Sequence, residues 1–285
     1  MEEVEQMLIK AKDEGVISST LVTKPKRRNK KITIEKILTI GTVVFILILW
    51  YISTNFGWIN AKLMPTPQSV IAAFGDIVIN GYKNFTLFQH LWASLQRLLL
   101  SFVVSTVVAI PLGLASGYNS KIRAVFEPII EFYRPLPPLA YYTLLVLWLG
   151  IGNESKIALL FLSCFAPIYV ACVAAVIKVK EDYINSAATL GATKMQIFKN
   201  VIFPSCLPDI FVGIRTAVGV AYTTLVAAEM VAAQSGLGWM VLDASKYLRS
   251  DIIFVGIIIM GITGILLDQI IRLIERKVVP WKGKE

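Results

Sequence analysis

NSAATLGATKMQIFKNVIFPSCLP, residues 185–208, interrupts a chain otherwise built from long apolar runs. It packs small residues, a glycine, two lysines and proline into one short segment. Asp182 to Leu190 has the makings of a short helix, which Gly191 closes as a left-handed cap. Thr193-Lys194-Met195-Gln196 then matches a capping box, the start of a second helix. Met195, Phe198, Val201 and Ile202 share an apolar face of that helix, while Lys194, Gln196, Lys199 and Asn200 fall elsewhere. Pro204 has no backbone donor and is expected to end it. Ala187, Ala188 and Gly191 put little side chain at the junction. The segment therefore reads as a compact helical elbow open to close approach, with an amphipathic helix resting on a membrane as the alternative.

The runs on either side set the class. The chain has 285 residues, 56% of them hydrophobic, with a mean hydropathy of +0.67. Soluble domains stay nearer roughly 45–50% apolar. This composition predicts an all-α polytopic membrane protein. Spans are expected at 37–56, 91–117, 137–152, 157–177, 208–233 and 252–274, each near the roughly 20 residues a bilayer needs except the third. A short amphipathic helix is expected at 66–80, outside the membrane. Of the lysines and arginines, 21 fall on the side of both termini and the 178–207 loop, and 6 on the other. That bias predicts cytoplasmic termini. It also accounts for the formal net charge of +9 without invoking nucleic acid.

Four regions follow: a basic cytoplasmic tail at 1–36, a first span with an external segment at 37–90, a transmembrane core at 91–274 containing the 178–207 loop, and a cytoplasmic tail at 275–285. A short surface helix is compatible with 1–23, and the cluster Lys24 to Lys31 suits anionic lipid headgroups. The run 37–56 is too long and too far from the N-terminus for a cleaved signal peptide.

The third span is short and broken. Arg134, Pro135, Pro137 and Pro138 lead into it, and prolines remove donors that lipid cannot replace. Such backbone is either buried in protein or lines a wet path, so these four residues are candidates for a translocation route. A plain kinked helix in a bundle would look the same. Charged residues within or near the spans are Arg97, Glu131, Arg134, Arg215, Glu229 and Asp268. Charge at a helix centre costs about 2.5–3.5 kcal/mol on insertion scales, so it tends to face a cavity or a partner. Glu229, in LVAAEMVAA, is expected to be a structural or gating partner of an arginine, with Arg97 preferred over Arg134 and Arg215. For Arg97 and Arg134, snorkelling to the headgroups is the competing explanation. His90 and the aromatic residues near span ends read as interface anchors. Cys164, Cys172 and Cys206 read as small buried hydrophobes, with no metal or disulfide implied.

The chain contains no GxxxxGK[ST], HExxH or GxSxG pattern, so no catalytic residue, cofactor or metal is expected. The sequence is not expected to be an enzyme by itself.

The elbow resembles the EAA loop of ABC-importer permeases, a pattern of Glu-Ala-Ala, three residues, Gly, nine residues, Ile, one residue and Leu-Pro. It falls here on Asn185-Ser186-Ala187, Gly191, Val201 and Phe203-Pro204, with Asn185 in place of the glutamate. Glu131 to Ala140, Leu147 to Gly152, Ser155-Lys156, Leu225 to Met230 and Gly236 to Met240 are similar to the permeases that import taurine, alkanesulfonates, nitrate or bicarbonate. EFYRPLPPLAYY and Val279-Pro-Trp281 are most similar to the taurine branch. The resemblance implies the permease fold of type I importers and a coupling surface at Asn185, Ser186, Ala187, Ala188, Gly191, Phe203 and Pro204. It also implies a homodimer served by two ATP-binding cassette ATPase subunits and an extracytoplasmic substrate-binding protein in a bacterial cytoplasmic membrane. The solute would be a small sulfonate such as taurine, or else nitrate, bicarbonate or another small solute. A secondary transporter driven by an ion gradient is the reading from another class. It would need a coupling-ion site that Glu229 alone barely supports.

Overall fold

The structure is a computed structural model and describes residues 34–57, 59, 60 and 62–282. The expected basic tail, up to residue 33, and the surface helix at 1–23 lie outside the described residues. Among the described residues every regular element is helical. The helices are α1 (Ile34–Asn55), α2 (Pro67–Asn80), α3 (Leu87–Tyr118), α4 (Ser120–Tyr133), α5 (Pro138–Leu149), α6 (Asn153–Ile177), α7 (Glu181–Thr189), α8 (Lys194–Ile197), α9 (Phe203–Ala232), α10 (Leu237–Lys246) and α11 (Ser250–Val278), with a π-helical turn at Phe198–Ile202. Five helical stretches are long and apolar enough to cross a membrane, and α5 is a shorter apolar sixth.

The chain divides into two compact units, 1–49 and 50–285. The described part of the first is the larger share of α1, an apolar helix without charge after Lys36. In the second unit, α6 is the central helix. Its Leu159, Leu160, Cys164, Ile168 and Cys172 are wholly buried. The three cysteines are free and buried.

Helices α3 and α6 run parallel and in a fixed register. The Arg97 Nε donates to Asn153 Oδ1, Ser101 Oγ to the Ile157 carbonyl and Ser105 Oγ to the Phe161 carbonyl, each across 56 residues. A step of four residues on both helices keeps these partners on one face. Further along, a methyl group at Gly113 would lie 2.6 Å from Cys172 Cβ. Small residues of this kind let helices close together where the hydrophobic effect gives little drive. Because α3 and α6 are parallel, α4 and α5 must return the chain between them. The short apolar α5 lies on that return path.

Several local rules hold. Thr66 caps α2 ahead of Pro67, and Thr86 with Gln89 forms a capping box on α3. Two helices replace expected connections. Helix α4 fills most of 118–136. Helix α10 buries Leu237, Met240 and Ala244 in a cluster with Val70, Ala73, Ile77, Ile252 and Val255. Beside it the Tyr82 hydroxyl donates to Asp243 Oδ2 at 2.8 Å, and Lys83 Nζ pairs with the same oxygen at 2.6 Å.

One expectation is overturned by the backbone. Pro204 does not end the second helix of the elbow. Residues Lys194–Ala232 form one continuous helical stretch. The wide π turn, closed by Phe203 N–H to the Phe198 carbonyl, makes Pro204 the second residue of a fresh α segment. A missing N–H is tolerated in the first turn of a helix.

Candidate functional site

The two ends of α6 and α9 carry different chemistry. At one end, α7 and α8 form the expected elbow. Gly191 has φ +81°, the Ala192 N–H bonds the Ala187 carbonyl at 3.1 Å, and the Gly191 N–H bonds the Ala188 carbonyl at 2.9 Å. This is the Schellman closure that glycine permits. Thr193 and Gln196 form a reciprocal capping box. The anchor of the elbow is Ile197 with Ile202, both buried, and the half-buried Phe198 and Val201 pack beside them. Phe198 meets Tyr118, at the end of α3, edge to face at 5.9 Å.

Met195, expected on the inward face, is instead 72% exposed, and Ile197 takes its place. The capping box fixes where the helix starts and therefore which residues turn inward. Asn185, Ser186, Ala188 and Gly191 are exposed, Ala187 is half-buried, and Phe203 and Pro204 are half-buried at the base of α9. The sequence reading passed over Leu190, which is 88% exposed at the tip. Together with Met195 and Tyr183 it gives the elbow an apolar outer surface.

At the opposite end, Arg97 and Glu229 meet. Arg97 Nη1 lies 2.7 Å from Glu229 Oε1, with the glutamate fully buried and the arginine nearly so. Ser94 Oγ reaches both carboxylate oxygens, at 2.8 and 2.9 Å, and accepts from the Leu237 N–H at 3.0 Å. The Gly238 N–H donates to Oε2 at 3.0 Å. The carboxylate thus sits on the N-terminus of α10, where free N–H groups and the helix dipole favour an acceptor. Arg97 is held in turn by Asn153 Oδ1 at 2.8 Å and the Ser235 carbonyl at 2.9 Å. The network ties α3, α6, α9 and the start of α10 together.

Gly236 explains the glycine-rich start of α10. Its φ is +127°, and a side chain there would meet the Glu229 carboxyl within 2.5 Å. His90 is not an interface anchor. It is fully buried, stacked on Trp239 at 5.6 Å, and accepts from the Gly236 N–H through Nδ1 at 3.2 Å. Its neighbours in the fold, invisible in the linear order, supply that burial.

Arg134, Pro135, Pro137 and Pro138 are not brought to this network. They form the turn between α4 and α5, at the elbow's end of α6. There Arg134 lines a small cavity with Tyr169, Val173 and Ile177. Arg215 pairs with Asp268 at 3.0 Å, and Asp268 also takes Arg272 at 2.7 Å. Among the described residues no cluster of metal-ligating side chains occurs. Ser94, Asn153 and Ser235 were missed by sequence reading. Only Ser94 left a signal, three residues before Arg97 on the same helix face.

A family model described as "Binding-protein-dependent transport system inner membrane component" matches residues 109–280, more than half of the chain. The "Taurine transport system permease protein TauC" of Escherichia coli (strain K12) is 40% identical over 248 residues, covering 87% of this chain and 90% of the relative. A "Probable ABC transporter permease protein" of Brucella abortus (strain 2308) is 37% identical over 235 residues, 82% of this chain and 91% of its own. The "Nitrate import permease protein NrtB" of a Synechocystis strain is 29% identical over 276 residues, 94% of this chain and 99% of the relative.

Proposed function

Since the chain belongs to the family of binding-protein-dependent transport system inner membrane components, we propose that it imports a small sulfonate such as taurine as the permease of an ABC importer. Two copies of the chain would form the pathway. Two ATP-binding cassette ATPase subunits would dock on the elbows from the cytoplasm, where both termini would also lie, and an extracytoplasmic binding protein would deliver the solute. The observation that carries the coupling is the elbow itself: a rigid pair of capped helices, bolted to α9 by Ile197 and Ile202, with Leu190 and Met195 presented outward. Movement imposed there passes directly into α9, whose far end holds Glu229. The Arg97–Glu229 network is then a clasp at the outer gate, and the turn at Arg134 to Pro138 belongs to the pathway's cytoplasmic side. The sulfonate reading is supported by the 40% identity to TauC against 29% to NrtB.

The test is uptake by proteoliposomes holding the permease, its ATPase and its binding protein. Labelled taurine should accumulate only with ATP inside and both partners present, and nitrate or bicarbonate should compete poorly. Accumulation driven by an ion gradient without the ATPase would establish the secondary transporter instead.

A further inference from the structure

Beside the Arg97–Glu229 pair, at the end of α6 opposite the elbow, lies a cavity of 370 Å³ whose polar lining includes Arg97, Asn153, Lys156, Gln234 and Ser235. Among the described residues this lining holds two cations, two amides and a hydroxyl, and no carboxylate. The charge of Arg97 is matched by Glu229. Lys156 makes no ion pair within 4 Å among the described residues, and the charges of Glu229 and Glu154 reach it only from farther off. Lys156 is 2% exposed, and its ammonium donates to the carbonyls of Ile151 and Gly152, both at 2.8 Å. An ammonium has three N–H donors, so one is left over. A buried cation whose counter-charges stand off is costly, and an anion directly beside it lowers that cost. The side-chain amides of Asn153 and Gln234 add donors of the kind that orient an oxyanion. The volume falls in the lower part of the usual range for small-molecule sites, about 300–1,000 Å³.

We propose that this cavity binds a small oxyanion of the sulfonate class, with Lys156 as its counter-charge and Arg97 as the wall that the clasp holds in place. The identity of the anion rests on the transport reading above, whereas the presence of an anion site does not. A site there would receive the solute at the mouth of the pathway, next to the pair that closes it.

The three native cysteines are buried, so Gln234→Cys supplies a single reactive thiol on the cavity's exposed rim. Its labelling rates with an anionic and a cationic methanethiosulfonate report the local potential in the assembled importer in nanodiscs. The anionic reagent should be favoured relative to a control at Asn80→Cys. Adding Lys156→Gln should lower that preference about tenfold, because one lost charge acts on the two reagents in opposite directions. Ala232→Asp, which adds a counter-charge and leaves Lys156 in place, should lower it too, and it decides the matter if Lys156→Gln does not fold. Methanesulfonate should slow labelling by both reagents, and sodium chloride of equal ionic strength should not. A preference untouched by the charge changes, or no protection by methanesulfonate, would overturn the proposal. Protection without uptake of any sulfonate would keep the site and reject the transport reading, and uptake without protection would do the reverse.

Discussion

Glu229 accepts hydrogen bonds from Arg97, Ser94 and Gly238 in a space closed by Gly236. Removing one partner of such a buried pair costs about 3–5 kcal/mol, because it strands the other charge, while removing both costs far less. Glu229→Gln and Arg97→Gln should therefore each lower the melting temperature and the uptake rate, and the double variant should recover part of both. Additive losses measured by thermal denaturation would show that the two side chains act independently. Gly236→Ala is expected to be as damaging as either single change, since it adds both a left-handed strain and a collision with the carboxyl. At the elbow the strain is separable from contact. Gly191 has open space around it, so Gly191→Ala should cost only about 1–2 kcal/mol through its backbone. Leu190→Asp should leave the fold intact and weaken ATPase retention in a pull-down.

The elements show which parts were legible in the sequence. Long apolar runs set α1, α3, α6, α9 and α11, because a bilayer-length run admits few other outcomes. Gly191 and the Thr193 box placed the elbow to within a residue, since caps are written locally. The fate of Pro204 was not legible, because a π turn depends on how Ile197 and Ile202 both reach the core. Helix α10 was hidden as well. It is short, and its Leu237, Met240 and Ala244 gain meaning only from α2 and α11 packed against them. The pairing of Glu229 with Arg97 could be reasoned from depth along two spans, but Asn153 and Ser235 could not. Their role arises from the register of α3 on α6 and from the path of the loop before α10.

The broken third span makes its own prediction. Pro137 is the N-cap of α5 and Pro138 its first residue, positions where proline costs a helix little. Pro137→Ala with Pro138→Ala should therefore leave membrane abundance near wild type and lower uptake. Equal uptake at equal abundance would remove these residues from the pathway. Another element-scale prediction concerns α10 and the loop before α3. Burial alone would raise the Asp243 carboxyl, but hydrogen bonds from Lys83 and Tyr82 outweigh it and hold the group below its ordinary value of 3.8. A depressed acid stabilises the fold above its unfolded pKa and loses that contribution as pH falls through the folded one. The melting-temperature gap between wild type and Asp243→Asn should stay constant around neutral pH and close only below 3.8.

Across the whole molecule, α6 and α9 connect an apolar elbow at one end to a charged clasp and a cationic cavity at the other. On the function proposed above, the work of transport would enter at a surface, and the elbow, with Leu190 and Met195 exposed, is the proposed one. The most direct test places a photo-crosslinking amino acid at position 190 in the complete importer, in a preparation shown to retain uptake. The account predicts a covalent adduct between residue 190 and the ATPase subunit, formed in nearly every complex and lost when the ATPase is stripped away. Adducts with lipid alone, while ATP-driven uptake continues, would contradict it.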